Sequence, residues 1–314
     1  MKFIDMHCDT ISAIRESRNK GTIIGLHNDN LAVTLNKLQS GNIILQNFAL
    51  FVDKEEEKNP YQAALDMIKL FNEEMKEFQE YISQVTSYSQ ISENRKDHKI
   101  SALLTLEEGD ICEGEIEKLK EFYQYGIRMM TITWNYENEL AFPNGSSKGL
   151  KKKGFEFVEE MERMGIIIDV SHLSDLGFWN VASITDKPFV ASHSNARGLC
   201  MHQRNLTDEM ITCIANRGGV IGVNFYGKFL SLDERSTICR IVDHMKYLKK
   251  VGGVDCIAIG SDFDGFHGIT EMKDCSSLSL LEKELQKNNF TNSEIEKICY
   301  KNVLRVYKEL ISTS

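Results

Sequence analysis

Short apolar runs rich in β-branched residues recur along the chain, and each stops at an ionisable residue. Phe3-Ile4-Asp5-Met6-His7-Cys8-Asp9 opens the sequence. Ala102-Leu103-Leu104-Thr105-Leu106-Glu107, Ile166-Ile167-Ile168-Asp169-Val170-Ser171-His172, Phe189-Val190-Ala191-Ser192-His193 and Ile257-Ala258-Ile259-Gly260-Ser261-Asp262 repeat the arrangement. Such runs predict strands buried on both faces, and a charge at a strand exit is too costly to desolvate without a partner. The pattern predicts strands over 2–6, 42–52, 100–106, 127–133, 165–171, 188–192, 219–225 and 256–260. Helical spacing lies between them, clearest at Ala64, Ile68, Phe71, Met75, Phe78 and Ile82, whose steps of four and three form one stripe. Thr291-Asn292-Ser293-Glu294 has the capping-box pattern and predicts a closing helix through Ile295, Ile298, Val303 and Val306.

Eight strands with helical sequence between them, and no Pro/Gly/Ser linker, predict an α/β fold. We expect a single (β/α)₈ barrel of the TIM type over residues 1–314, with an open doubly wound sheet as the alternative. In a barrel the strand C-termini form the active face, which is where the ionisable residues fall. With 314 residues and 42% apolar content the chain can bury a large core. The net charge of −9, with no basic cluster larger than Lys151-Lys152-Lys153, argues against nucleic acid and for small molecules or peptides. Eight cysteines without a Cys-x-x-Cys pair read as small buried hydrophobes in a reducing compartment. No leader pattern precedes Asp5 and His7, and no segment is apolar enough to cross a bilayer, so a cytoplasmic protein without a membrane partner is expected.

The strand ends suggest a metal site. His7 and Asp9, at i and i+2 of an extended segment, point the same way, although Asp9 can also be read as a cap for a helix near Thr10. Glu107 can bridge two cations, whereas Glu108 points elsewhere, and one of the two is expected to be a solvated or salt-bridged loop residue. His172 and His193 end consecutive strands, and a mixed nitrogen and oxygen donor set suits Zn²⁺ better than Mg²⁺ or Ca²⁺. Asp262 leaves the eighth strand directly and ranks above Asp264 as the proton-handling group. His27, His98, His202, His244 and His267 are left outside the metal site, and Lys54–Lys58 reads as a solvated face.

Taken in order, Asp5-Met6-His7-Cys8-Asp9, Leu106-Glu107, Ile168–His172, Ser192-His193-Ser194, Arg204-Asn205, Val223–Tyr226, Gly260–Gly265 and Asn302–Val306 resemble the membrane (renal) dipeptidase family of zinc peptidases, within the metal-dependent hydrolase superfamily. The resemblance implies two zinc ions, one on His7, Asp9 and Glu107, the other on Glu107, His172 and His193, with Glu107 bridging. It implies that Arg204 holds the substrate carboxylate and that Asp262 shuttles the proton after a hydroxide shared by the metals attacks the peptide bond. Tyr226 and Asn135 are assigned to the substrate side. Trp134 stands where animal members place a substrate-facing histidine, and Glu108-Gly109-Asp110 replaces a Gly-Gly-His run. The expected substrates are dipeptides, including L-Xaa-D-Xaa, and a homodimer is a family expectation. Deacylation of N-acyl amino acids on the same metals is the alternative, and a catalytically silent peptide- or metal-binding barrel ranks below it.

Overall fold

The computed structural model describes residues 1–311. Its strands are β1 (Phe3–Asp5), β2 (Ile43–Phe51), β3 (Ile82–Gln84), β4 (Ile100–Glu107), β5 (Ile127–Thr131), β6 (Ile167–Asp169), β7 (Ile221–Val223) and β8 (Ile257–Ile259). Neighbours run parallel in the order β6-β5-β4-β2-β1-β8-β7.

Segment 188–192 fills the interval between β6 and β7. Val190 bridges Asp169, Ala191 bridges Ile221, and Val170 N and Gly222 N donate to Val190 O and Ala191 O, each at 2.8 Å. The ring therefore closes, and the eight predicted segments are its staves. The sixth is a stave without being a regular strand, for a physical reason. Pro188 has no N–H, and the amides of Ser192 and His193 leave the ladder to donate to Asp169 Oδ1 and Ser171 Oγ.

β3 lies outside the ring. It pairs with Ile100–Ala102 at the start of β4, and β5 takes over that edge from Leu104 onward. This corrects the expected helical stripe, because the helix Pro60–Glu77 ends at Phe78 and Ile82 reaches its buried place from a strand.

An inner cluster drawn from around the ring, including Ile4, Leu45, Leu103, Met129, Ile167, Val190, Val220 and Ala258, packs against Val303 and Tyr307. These last two belong to the helix Asn302–Leu310, which follows the predicted capping box at Thr291 and Glu294. Asn302 Nδ2 donates to Val254 O and Ile257 O at the start of β8, so this helix closes the N-terminal end of the barrel. The C-terminal end stays open. Strand alternation then determines what faces it: Leu103, Thr105 and Glu107 share one face of β4, so the strand that fills the core with Leu103 presents Glu107 at the top.

Candidate metal centre

The five residues expected to bind metal come together at the open end. His7 Nε2 lies 3.1 Å from Glu107 Oε2 and 3.6 Å from Asp9 Oδ2. The other oxygen, Glu107 Oε1, lies 3.1 Å from His172 Nε2 and 3.4 Å from His193 Nε2, and the two imidazole nitrogens are 2.9 Å apart. Asp9 begins the helix Thr10–Asn19 without a side-chain cap bond, so its carboxylate is turned to the cluster, where Oδ1 is buried and unpartnered. The simple capping reading of Asp9 therefore fails.

Hydrogen bonding fixes which nitrogens carry protons. His193 Nδ1 is 2.7 Å from Ser192 Oγ, and Ser192 Oγ in turn donates to Asp169. Thr131 Oγ1, Ser171 N and Ser192 N also donate to Asp169, whose charge burial opposes but the hydrogen bonds of Ser192 and Ser171 help to hold below the usual carboxylate range. Ser192 Oγ must then accept from His193 Nδ1, leaving a lone pair on Nε2. His172 Nδ1 faces Asn135 Oδ1 at 2.9 Å, which leaves its Nε2 a lone pair as well. Burial, then Arg204, holds His172 well below its ordinary pKa, and burial with His7 lowers His193, which favours the neutral form of both imidazoles.

Three acceptor atoms thus converge without a proton to share. A zinc ion with bonds of about 2.0–2.2 Å requires donors about 3.3–3.6 Å apart, so the set fits a cation after slight relaxation. The second set differs electrostatically. Burial opposes the charge on His7, yet Glu107 and Asp9 outweigh it and hold His7 well above the usual value. Burial together with Glu107 pushes Asp9 up. Burial also opposes the charge on Glu107, but the charge and hydrogen bond of His7 hold it well below the usual range.

Asp262 closes the cluster, with Oδ1 3.8 Å from His7 Nε2 and Oδ2 accepting from Asn224 Nδ2 at 2.9 Å. Its backbone, like that of His172, is left-handed at φ 66°. Asp264, the competing candidate, also lines the cavity above the cluster, but both of its oxygens accept from the protein, from Thr10 Oγ1 and the amides of Ala32 and Val33. Above the cluster opens a cavity of about 650 Å³ walled by Phe51, Trp134, Asn135, Tyr226, Phe229 and Phe266, with Asp9, Glu107, His172 and Asp262 at its base.

The family follows from the whole chain. A model of the membrane dipeptidase family, peptidase family M19, matches residues 1–314. The chain belongs to that family. As a membrane dipeptidase family member it is a hydrolase of the metallo-dipeptidase class. It is 34% identical over 236 residues to an uncharacterized protein in the pqqA 5′ region of Klebsiella pneumoniae, covering 71% of this chain and 87% of that protein. With the uncharacterized dipeptidase C965.12 of Schizosaccharomyces pombe it shares 29% identity over 333 residues, 98% of this chain and 80% of the relative. A Rhodobacter sphaeroides metallopeptidase liganded with a phosphinate mimic of the dipeptide L-Ala-D-Ala has the same fold, with TM-score 0.90, 23% identity and 99% of both chains covered. Among the described residues no helix is long and apolar enough to cross a membrane.

Other expectations for this family member need adjustment. Arg204 does not line the cavity. It lies behind His193, donating to Ser194 Oγ at 2.9 Å and His193 O at 3.1 Å, and its Nε has no partner. Burial lowers its pKa to about 10. Glu108 is neither solvated nor salt-bridged: it is buried at φ 103° and accepts from Asp110 N of its own loop and from Trp134 N and Asn138 Nδ2 of the loop after β5, because these three amide donors need an acceptor. The Lys54–Lys58 segment is not simply solvated either, since Glu57 pairs with Arg15 and both line the cavity. Of the remaining histidines, His27 and His98 are exposed and His244 is buried between Ala196 N and Leu230 O, while His267 lines the cavity wall.

Sequence reasoning missed Asn224, Asp169, Ser192 and Gly265. Asp169 had a readable signal, being a carboxylate within a fully apolar strand, where it must gather donors. Gly265 had none. A Cβ there would come within 2.0 Å of Asp9 Oδ2 and 2.9 Å of Asp262 Oδ1. Gly265→Ala is therefore expected to displace Asp9 and lower kcat about 10²-fold with an unchanged melting temperature, checked by kinetics beside thermal unfolding.

Proposed function

We propose that this chain is a zinc-dependent dipeptidase acting on L-Xaa-L-Xaa and L-Xaa-D-Xaa substrates, with residues 1–314 forming one catalytic unit. The observation that carries the reading is the convergence of Glu107 Oε1, His172 Nε2 and His193 Nε2, three lone-pair atoms without a proton between them, beneath a cavity with room for a dipeptide. His7, Asp9 and Glu107 would hold one zinc, and Glu107, His172 and His193 the other. Bound there, zinc supplies Lewis acidity and lowers the pKa of water towards ~7.

The chain's own groups do the rest. Asp262 takes the proton of the attacking water at Oδ1 and returns it to the leaving amine, while Asn224 Nδ2 keeps Oδ2 occupied. Tyr226 and Trp134 wall off the scissile bond and exclude bulk water. Arg204 lies behind His193 with two of its five N–H donors used on the protein, and its buried charge, beside Phe229, adds a positive potential that favours the substrate carboxylate without touching it. The solved relative with a mimic of L-Ala-D-Ala supports a D-residue at the second position. Glu16, Asp53, Glu56 and Glu57 line the outer cavity against Arg15 alone, and Arg15 is already paired with Glu57, so an anionic first side chain is repelled.

A panel of dipeptides and N-acyl amino acids, with and without chelator, tests this. We expect chelator-sensitive cleavage of dipeptides, with Glu or Asp at the first position cleaved about tenfold more slowly than Ala and the gap narrowing in salt. Cleavage confined to N-acyl amino acids transfers the reading to the amidohydrolase alternative, and no cleavage at all overturns both.

A further inference from the structure

Asn135 begins as a substrate candidate, but the hydrogen bonds around it give it another task. It follows β5, and Asn144 lies farther along the same loop. Asn144 N donates to His172 O at 2.6 Å, and Asn144 Nδ2 lies 3.4 Å from that carbonyl and 3.1 Å from Asn135 Oδ1. A carbonyl oxygen takes only donors, so the Asn144 side chain must turn its NH₂ group towards His172 O. The same NH₂ group reaches Asn135, so the Asn135 atom facing it must be the oxygen. That oxygen lies 2.9 Å from His172 Nδ1, which must therefore carry the proton. The lone pair is left on Nε2, facing Glu107 and His193.

We propose that Asn135, oriented by Asn144, is a positioning residue that fixes the tautomer and ring orientation of His172. The relay starts from the backbone of the histidine it controls. The carbonyl of His172, a residue held at φ 66°, orients Asn144, and Asn144 orients Asn135. Ser192 and Asp169 do the same for His193 through a hydroxyl and a carboxylate, so the two neighbouring imidazoles are aimed by different chemistry. An outer partner of this kind governs how well a histidine binds its metal. Only the metal-affinity half of the inference rests on the zinc dipeptidase reading.

The test uses the full chain with Asn135→Ala, Asn135→Asp and Asn144→Ala. In metal-free protein, ¹⁵N spectra of the imidazoles report the tautomer. Wild type is expected to show His172 protonated at Nδ1, Asn135→Ala a mixture of tautomers, and Asn135→Asp, which keeps an oxygen acceptor, a wild-type spectrum. Zinc retention measured by chelator competition is expected to fall about tenfold in Asn135→Ala and to return within about threefold in Asn135→Asp. Asn144→Ala is expected to fall between them. At saturating zinc, KM for a dipeptide should change less than zinc retention does. A wild-type tautomer and unchanged retention in Asn135→Ala overturn the proposal, as does a rise in KM at saturating zinc with retention unchanged, which makes Asn135 a substrate contact. Failure of wild type to bind zinc overturns the dipeptidase reading instead, and the tautomer measurement still decides the role of Asn135.

Discussion

Glu107→Gln is expected to lower kcat/KM for dipeptides by about 10³-fold or more, equivalent to ~4 kcal/mol of transition-state stabilisation, in a protein that still folds. The backbone of Glu107 pairs with Phe51 and Thr131 on both sides of β4, so the substitution leaves the ladder untouched. Its carboxylate is different, because each oxygen belongs to a different donor set: Oε2 faces His7, and Oε1 faces His172 and His193. Glutamine keeps the shape but carries no charge and must turn an NH₂ group towards one set. A donor aimed at a lone pair reserved for a cation removes that set outright. Bound zinc should fall to one equivalent or less per chain. Glu108→Gln is the control, since Glu108 is also buried but accepts only from amide donors of two neighbouring loops. It should lose stability on the order of 2 kcal/mol while keeping its metal. Equal metal loss in both variants would show that burial of a carboxylate, and not the bridging position, is what matters.

The contrast between these two neighbours also shows how far the sequence could be read. Glu107 was legible because a fully apolar strand delivers its last inward residue to the open end of the barrel, and the same rule located His7, His172, His193 and Asp262. Glu108 was misread because nothing in a one-dimensional pattern reveals that Trp134 N and Asn138 Nδ2 return to it from a later loop. The eight staves were legible as apolar runs, including 188–192, which pairs too sparsely to be a regular strand. β3 was not, since Ile82 continues the spacing of the preceding helix and its strand spans three residues. Roles that depend on hydrogen-bond direction were hidden for the same reason. Asn135 reads as a substrate-side residue until Asn144 and His172 are seen beside it. Arg204 reads as a direct clamp on the substrate carboxylate until His193 O and Ser194 Oγ are seen to occupy part of its guanidinium.

Removal of metal is expected to abolish dipeptide cleavage and to lower the melting temperature, with zinc restoring both. A ligand that binds only the folded chain stabilises it by RT ln(1 + [L]/Kd), about 4 kcal/mol at a thousandfold excess over Kd, and for a chain of this size that corresponds to a shift on the order of 5–10 °C. The pH dependence discriminates more sharply, because the two proposed donor sets hold protons differently. His172 and His193 are held below their ordinary values by burial, so at neutral pH they are already free of protons and metal displaces none from them. His7 is held well above its ordinary value by Glu107 and Asp9, and Asp9 is itself pushed up by burial and by Glu107. Metal must expel protons from that set, so its affinity rises with pH through the raised His7 value and falls as the solution is acidified. Zinc counted per chain after dialysis at a series of pH values should therefore drop in two steps, the first from the set of His7, Asp9 and Glu107 and the second at lower pH. Activity should vanish with the first step. A single step in which both ions leave together would mean that the two sets titrate as one, and a first loss that His7→Asn leaves in place would assign it to the histidine pair instead.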